Sequence, residues 1–122
     1  MTNLNRDFNM LVEETKVKLK AYNVGLQVVP YGKRTGIKYS FKVVRGKDTR
    51  TFAWVQLKIK LDCLAVGTKE EWANKAGLVK SQYKYKPNSQ FNKPGAHWII
   101  TSGNVTMIKK VAVYLARVGN TR

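Results

Sequence analysis

Two stretches of this 122-residue chain bring cations and aromatic rings together at spacings that suit a polyanion. In the first, Ile37, Tyr39, Phe41 and Val43 alternate with Lys38, Ser40 and Lys42, and further on Ala53, Val55 and Leu57 alternate with Phe52, Trp54, Gln56, Lys58 and Lys60. Period-two alternation puts Lys38, Lys42, Lys58 and Lys60 on one side of a hairpin, beside Phe52 and Trp54. Lysines neutralise phosphates, and an exposed indole offers a plane on which an unpaired base can stack. The bland alternative is a solvated lysine face with Trp54 covered by a helix or loop. In the second stretch, Lys80, Tyr83, Lys84, Tyr85, Lys86, Phe91 and Lys93 are interleaved, with Gln82, Gln90 and Asn92 able to hydrogen-bond to phosphates or base edges. A polar connection this long in a small domain is commonly functional, and each stacked base would contribute about 1–3 kcal/mol. Lys33 and Arg34, in a stretch over residues 31–36 that reads as a mobile basic loop, are expected to supplement this surface, as are Arg45, Lys47 and Arg50 around the hairpin turn.

Candidates for chemistry beyond binding are few. Asp48 followed by Gln56-Leu57-Lys58, with Glu13 and Glu14 on a preceding helix, resembles the acid and acid-x-Lys elements with which restriction-endonuclease-like nucleases hold Mg²⁺ and activate water. Gln56 stands where that class has a carboxylate, Asp48 falls in the hairpin turn, and no Pro-Asp pair precedes it. Hard cations need oxygen ligands, which this chain rarely places on one face, so no metal, cofactor or catalytic residue is expected. His97 lacks a neighbouring nucleophile or orienting carboxylate and reads as a polar strand residue or a phosphate contact. The lone Cys63 reads as a small core hydrophobe.

The elements that must position these residues follow from periodicity and turn chemistry. Phe8, Leu11, Val12, Thr15, Leu19 and Tyr22 mark one face of a helix over residues 4–22, capped by Asn3 or Asn5. Leu26 to Val29 suits an edge strand ending at Pro30. Residues 37–44 and 51–64 form the hairpin, the second strand burying Ala53, Val55, Leu57, Ile59, Leu61 and Cys63. Thr68-Lys-Glu-Glu71 fits a capping box opening a short helix through Trp72 and Ala76. Ala96 to Thr101 reads as a strand, and Ser102 as the cap of a final helix with Val105, Ile108, Val111, Ala112, Leu115 and Val118 on one stripe, ended by Gly119. The expected fold is therefore α+β: a single two-layer domain over residues 1–122, in the order α-β-β-β-α-β-α, its antiparallel sheet covered by helices on one face.

Composition sets the partner class. With 23 Lys and Arg against 7 Asp and Glu, the net charge is +16, and a 43% hydrophobic content argues against disorder. Residues 1–25 are almost balanced, so the excess belongs to the hairpin, the long connection and the C-terminal quarter. One Cys excludes an internal disulfide, and the absence of a long apolar run points to a cytoplasmic chain without a membrane partner.

From Tyr31 onward, the strands holding Tyr39 and Phe52, the Leu57-Lys-Ile-Lys-Leu61 run, the Gly95-Ala-His-Trp98 segment and the Ser102-led helix resemble a small uncharacterised bacterial α+β domain family. Some of its members are associated with defence or restriction. The short basic form also resembles accessory proteins of phages and mobile elements, which would act in the host cytoplasm. The favoured expectation is a basic protein binding DNA or RNA through phosphate contacts and stacking, with little sequence specificity. The alternative is a protein-binding regulator, such as a phage-encoded inhibitor of a host nucleic-acid enzyme or of a CRISPR- or restriction-type complex, docked on an acidic or ribonucleoprotein partner. A degenerate Mg²⁺-dependent nuclease is the third.

Overall fold

Apolar residues at helical spacing open the chain; in the computed structural model, which describes residues 3–32, 37–89 and 92–122, they form α1 (Leu4–Lys20). Leu4, Phe8, Leu11 and Leu19 are buried, while Tyr22 lies beyond the helix and is exposed. Asn3 occupies the N-cap without a side-chain bond to the helix. The buried Asp7 on the same face accepts a 2.8 Å hydrogen bond from the Gly103 N–H, tying α1 to the turn before the last helix.

Six antiparallel strands follow: β1 (Gly25–Pro30), β2 (Lys38–Arg45), β3 (Asp48–Lys58), β4 (Cys63–Lys69), β5 (Lys84–Lys86) and β6 (Gly95–Thr101). Their order across the sheet is β1-β2-β3-β4-β6-β5, so Pro30 falls on an edge strand, where its missing N–H breaks no central ladder. Helix α2 (Glu70–Lys75) follows β4, and α3 (Val105–Thr121) closes the chain against α1. The fold is α+β with an antiparallel sheet. Its buried face carries Phe41, Val43, Val55, Leu57, Leu64, Val66, Trp98 and Ile100.

Five local expectations are corrected, four of them in the strands and helix caps. The single strand over residues 51–64 is two strands: Ile59–Leu61 form a 3-10 turn and Asp62 is left-handed (φ 52°), so the chain reverses and Cys63 pairs with Lys58. Ile59 (56% exposed) and Leu61 (70%) therefore sit in solvent, and Cys63, though buried, projects to the side opposite the helices. Second, a bulge between Phe41 and Lys42 pairs Phe41 with Ala53 and Lys42 with Thr51, leaving Phe52 as the extra residue. Its ring turns into the core, edge-on to Phe41 at 6.2 Å. Third, Thr68 caps no helix. Its buried hydroxyl donates to the Phe52 carbonyl at 2.6 Å, and α2 starts after Lys69. Fourth, Asn104 and not Ser102 caps α3, accepting from the Met107 N–H at 3.1 Å.

Gly119 does not end α3 but lies within it. A Cβ there would come 2.9 Å from Val43 Cγ1 and 3.1 Å from Leu19 Cδ2, so the absence of a side chain lets α3 approach both the sheet and α1.

Candidate functional site

Strand register decides what the uncovered face of the sheet presents, because residues paired across neighbouring strands project to the same side. One row runs Ser40, Trp54, Gly67, His97, Lys84; the next runs Lys38, Gln56, Ala65, Ile99. Lys42, Lys58, Lys69 and Lys86 share this face by the same parity. Among the described residues no carboxylate lies on it: Asp48, at the start of β3, pairs with Arg45 on the helix side. Over the small Ala65 and Gly67 of β4 the face is hollow, and Tyr31, Asn88 and Ser89 from outside the central strands add to its rim. The resulting cavity, of about 430 Å³, is walled by Trp54, Gln56 and Lys58 on one side and Lys86 and His97 on the other.

His97 reports the electrostatics of this cavity. Burial holds its pKa below the usual 6.5, helped by the charges of Lys86, Lys84 and Lys58 and opposed by a hydrogen bond to the Lys84 backbone. Since the folded value lies below the unfolded one, the stability tied to neutral His97 is complete above about pH 6.5 and is lost as the pH falls through the folded value. A phosphate bound here would favour the charged imidazole and raise that value. His97 is the sole histidine, so one proton-NMR titration reads both effects. The expected midpoint is below 6.5 in the free protein and moves upward with an oligonucleotide bound; a midpoint that the oligonucleotide does not move would show that phosphates do not approach this face.

The residues expected to bind are only partly brought together. Lys38, Lys42, Lys58, Lys84 and Lys86 share the face, whereas Lys60 sits in the 3-10 turn and Phe52 in the core. Trp54 is on the face but only 8% exposed, since the Trp72 ring stacks on it at 5.8 Å and 17°. Trp72 takes one side of its ring, and Trp54 serves as a wall of the cavity. Lys80 lies in a short 3-10 turn, its ammonium 5.6 Å from the Tyr85 ring centroid. The interleaving of residues 83–86 becomes strand alternation in β5: Lys84 and Lys86 share the uncovered face, Lys86 lining the cavity, while Tyr85 pairs with Ala96 and projects the other way. Lys93 is exposed beyond β5, and Lys47 is exposed at the hairpin tip. Lys33, Arg34 and Phe91 lie outside the described residues.

Tyr83 is a structural residue. Its part-buried hydroxyl donates to Glu70 Oε2 at 2.9 Å, with Asn74 Oδ1 at 3.3 Å, and its pKa is pushed up to about 12 by burial and the Glu70 carboxylate. Tyr83→Phe should lower stability in urea unfolding by about 1–2 kcal/mol and leave oligonucleotide affinity unchanged. Arg45 and Arg50 are also occupied. Arg45 donates to the Asn120 carbonyl at 2.7 Å, and Arg50 holds Asp48 at 3.0 Å and the Arg122 carbonyl at 3.3 Å. Both cations thus sit where the last carbonyls of α3 concentrate negative charge.

The nuclease-like pattern does not assemble. Asp48 and Lys58 are the two ends of β3, about 30 Å apart at roughly 3.3 Å per residue, and Glu14 pairs with Lys18 on α1 at 3.7 Å. Among the described residues no three His, Cys, Asp or Glu side chains form a cluster. Sequence pattern does not single out Ala65, Gly67 and Lys69, because the apolar alternation runs on through Cys63 as one strand and Thr68-Lys-Glu-Glu71 fits a capping box, so β4 is divided between two expected elements. Among the described residues no helix is long and apolar enough to cross a membrane. Comparison of the chain with protein-family models, with curated proteins and with solved structures found no match.

Proposed function

We propose that this protein binds nucleic acid through the uncovered face of its sheet, using lysines to neutralise phosphates and reading little sequence. The observation that carries this is the convergence of Lys38, Lys42, Lys58, Lys69, Lys84 and Lys86 on one face without a carboxylate among the described residues there. Such a face is costly for a folded chain unless a polyanion offsets the repulsion. Phosphate binding releases condensed counterions, so log affinity should fall linearly as log salt rises, by about 0.7 per contact on a single strand and 0.9 on a duplex. Affinities for single- and double-stranded oligonucleotides across a salt series test the proposal. The expected result is a steep decline for both; a flat response, or no binding at low salt, would reject it and favour an acidic protein as the partner.

A further inference from the structure

Gly67 is hard to explain by packing. It sits within β4, where glycine weakens a strand by leaving nothing to pack, and it lies between Trp54 on β3 and His97 on β6. Strand glycines commonly mark a close approach by another backbone. Here a Cβ would meet only the Ala96 carbonyl oxygen, at 3.8 Å, an ordinary contact, and among the described residues no other atom lies within 4 Å. The space above it belongs to the 430 Å³ cavity, which falls in the range of about 300–1,000 Å³ typical of small-molecule sites.

The chemistry around that space is specific. Two strand spacings of about 4.8 Å separate β3 from β6, so the side chains flanking Gly67 arise roughly 9.6 Å apart. A planar heterocycle keeps about 3.5 Å from what it touches on either face, so it fits between the Trp54 and His97 walls. Gln56, in the adjoining row, supplies an amide that can both donate to and accept from a base edge. Lys58 and Lys86, on opposite walls, supply charge for the attached phosphate.

Resting on the nucleic-acid reading above, we propose that the cavity over Gly67 holds one unpaired nucleotide of a single strand, its base between Trp54 and His97 and its phosphates on Lys58 and Lys86. A duplex cannot offer a base to this slot without unpairing it, so single strands should bind more tightly than duplexes of equal phosphate number. Gly67→Val tests this directly. The Cβ is tolerated and valine favours strands, so the variant should fold at least as stably as the wild type while its methyl groups fill the floor of the slot.

The measurements are affinities at one salt concentration for an oligothymidine strand, a blunt duplex with the same number of phosphates, and thymidine 5′-monophosphate, with urea unfolding of each variant. The wild type should prefer the strand about tenfold, the scale expected of one stacked base. Gly67→Val should bring that preference close to one, with duplex affinity and salt slope unchanged, and Gly67→Ala should fall between. A strand preference that survives in Gly67→Val overturns the nucleotide slot while leaving the general binding reading standing. Wild-type protein that binds neither strand nor duplex overturns both. Thymidine monophosphate binding as tightly as the strand overturns the strand as occupant and reassigns the cavity to a free nucleotide.

Discussion

Reversing Lys58 and Lys86 together, as Lys58→Glu with Lys86→Glu, is expected to weaken single-strand binding by about 30-fold or more near 0.1 M salt. Two lost phosphate contacts account for a factor of about 25, at a slope of roughly 0.7 in log affinity per contact, and repulsion by the new carboxylates adds to it. The plot of log affinity against log salt should become shallower by about 1.4. Neither lysine has an ion-pair partner among the described residues, and Lys58 is half-buried and Lys86 exposed on the uncovered face, so the fold should tolerate the change. The matched control is Lys16→Glu with Lys109→Glu, on α1 and α3, which changes net charge equally on the other side of the sheet. A loss in the control as large as that in the test pair would mean that only total charge matters, and would remove the uncovered face as the site.

Phe52→Ala is expected to be strongly destabilising, costing about 3–5 kcal/mol in urea unfolding. That is a large share of the roughly 5–15 kcal/mol that holds a domain together. Phe52 is fully buried, lies edge-on to Phe41 at 6.2 Å, and fills the space beside Gly119, where a Cβ would stand 3.4 Å from its Cδ2. Truncation would open a cavity at the junction of α3, α1 and the sheet. Straight alternation would instead put Phe52 on the uncovered face, where truncation would change stability by no more than about 0.5 kcal/mol. The size of the measured effect therefore tests the bulge itself, which the Thr68 hydroxyl holds through the Phe52 carbonyl.

These two experiments touch the points where periodicity was informative and where it failed. The alternation of residues 37–44 is legible because one face of β2 is buried by helices, and only period two keeps its apolar side chains there. The same rule misleads from Ile59 to Cys63. There the apolar spacing continues through a 3-10 turn that the local pattern does not mark, except at Asp62, a residue type that tolerates the left-handed conformation. Splitting that run creates β4 and with it the Ala65 and Gly67 floor of the cavity. Lys84 and Lys86 are recognisable as cations in the sequence. That they share the uncovered face while Tyr85 does not follows from the pairing of β5 with β6, a contact between strands that no pattern in residues 80–93 requires.

What the sequence alone determined is what depends on composition and on strong local periods: a basic chain, an amphipathic helix at each end, a hairpin, and an α+β architecture with an antiparallel sheet. What only the tertiary structure decided is which cations act together and which are already taken. Arg45 and Arg50 are held by the end of α3, and Tyr83 by Glu70, while Lys58, Lys86 and His97 converge across three strands around an empty glycine position. The physical reason is range. Helix and strand periods are set by neighbours a few residues apart, whereas the partner of a side chain is set by strand register, and in this sheet a single bulge and a single turn shift that register.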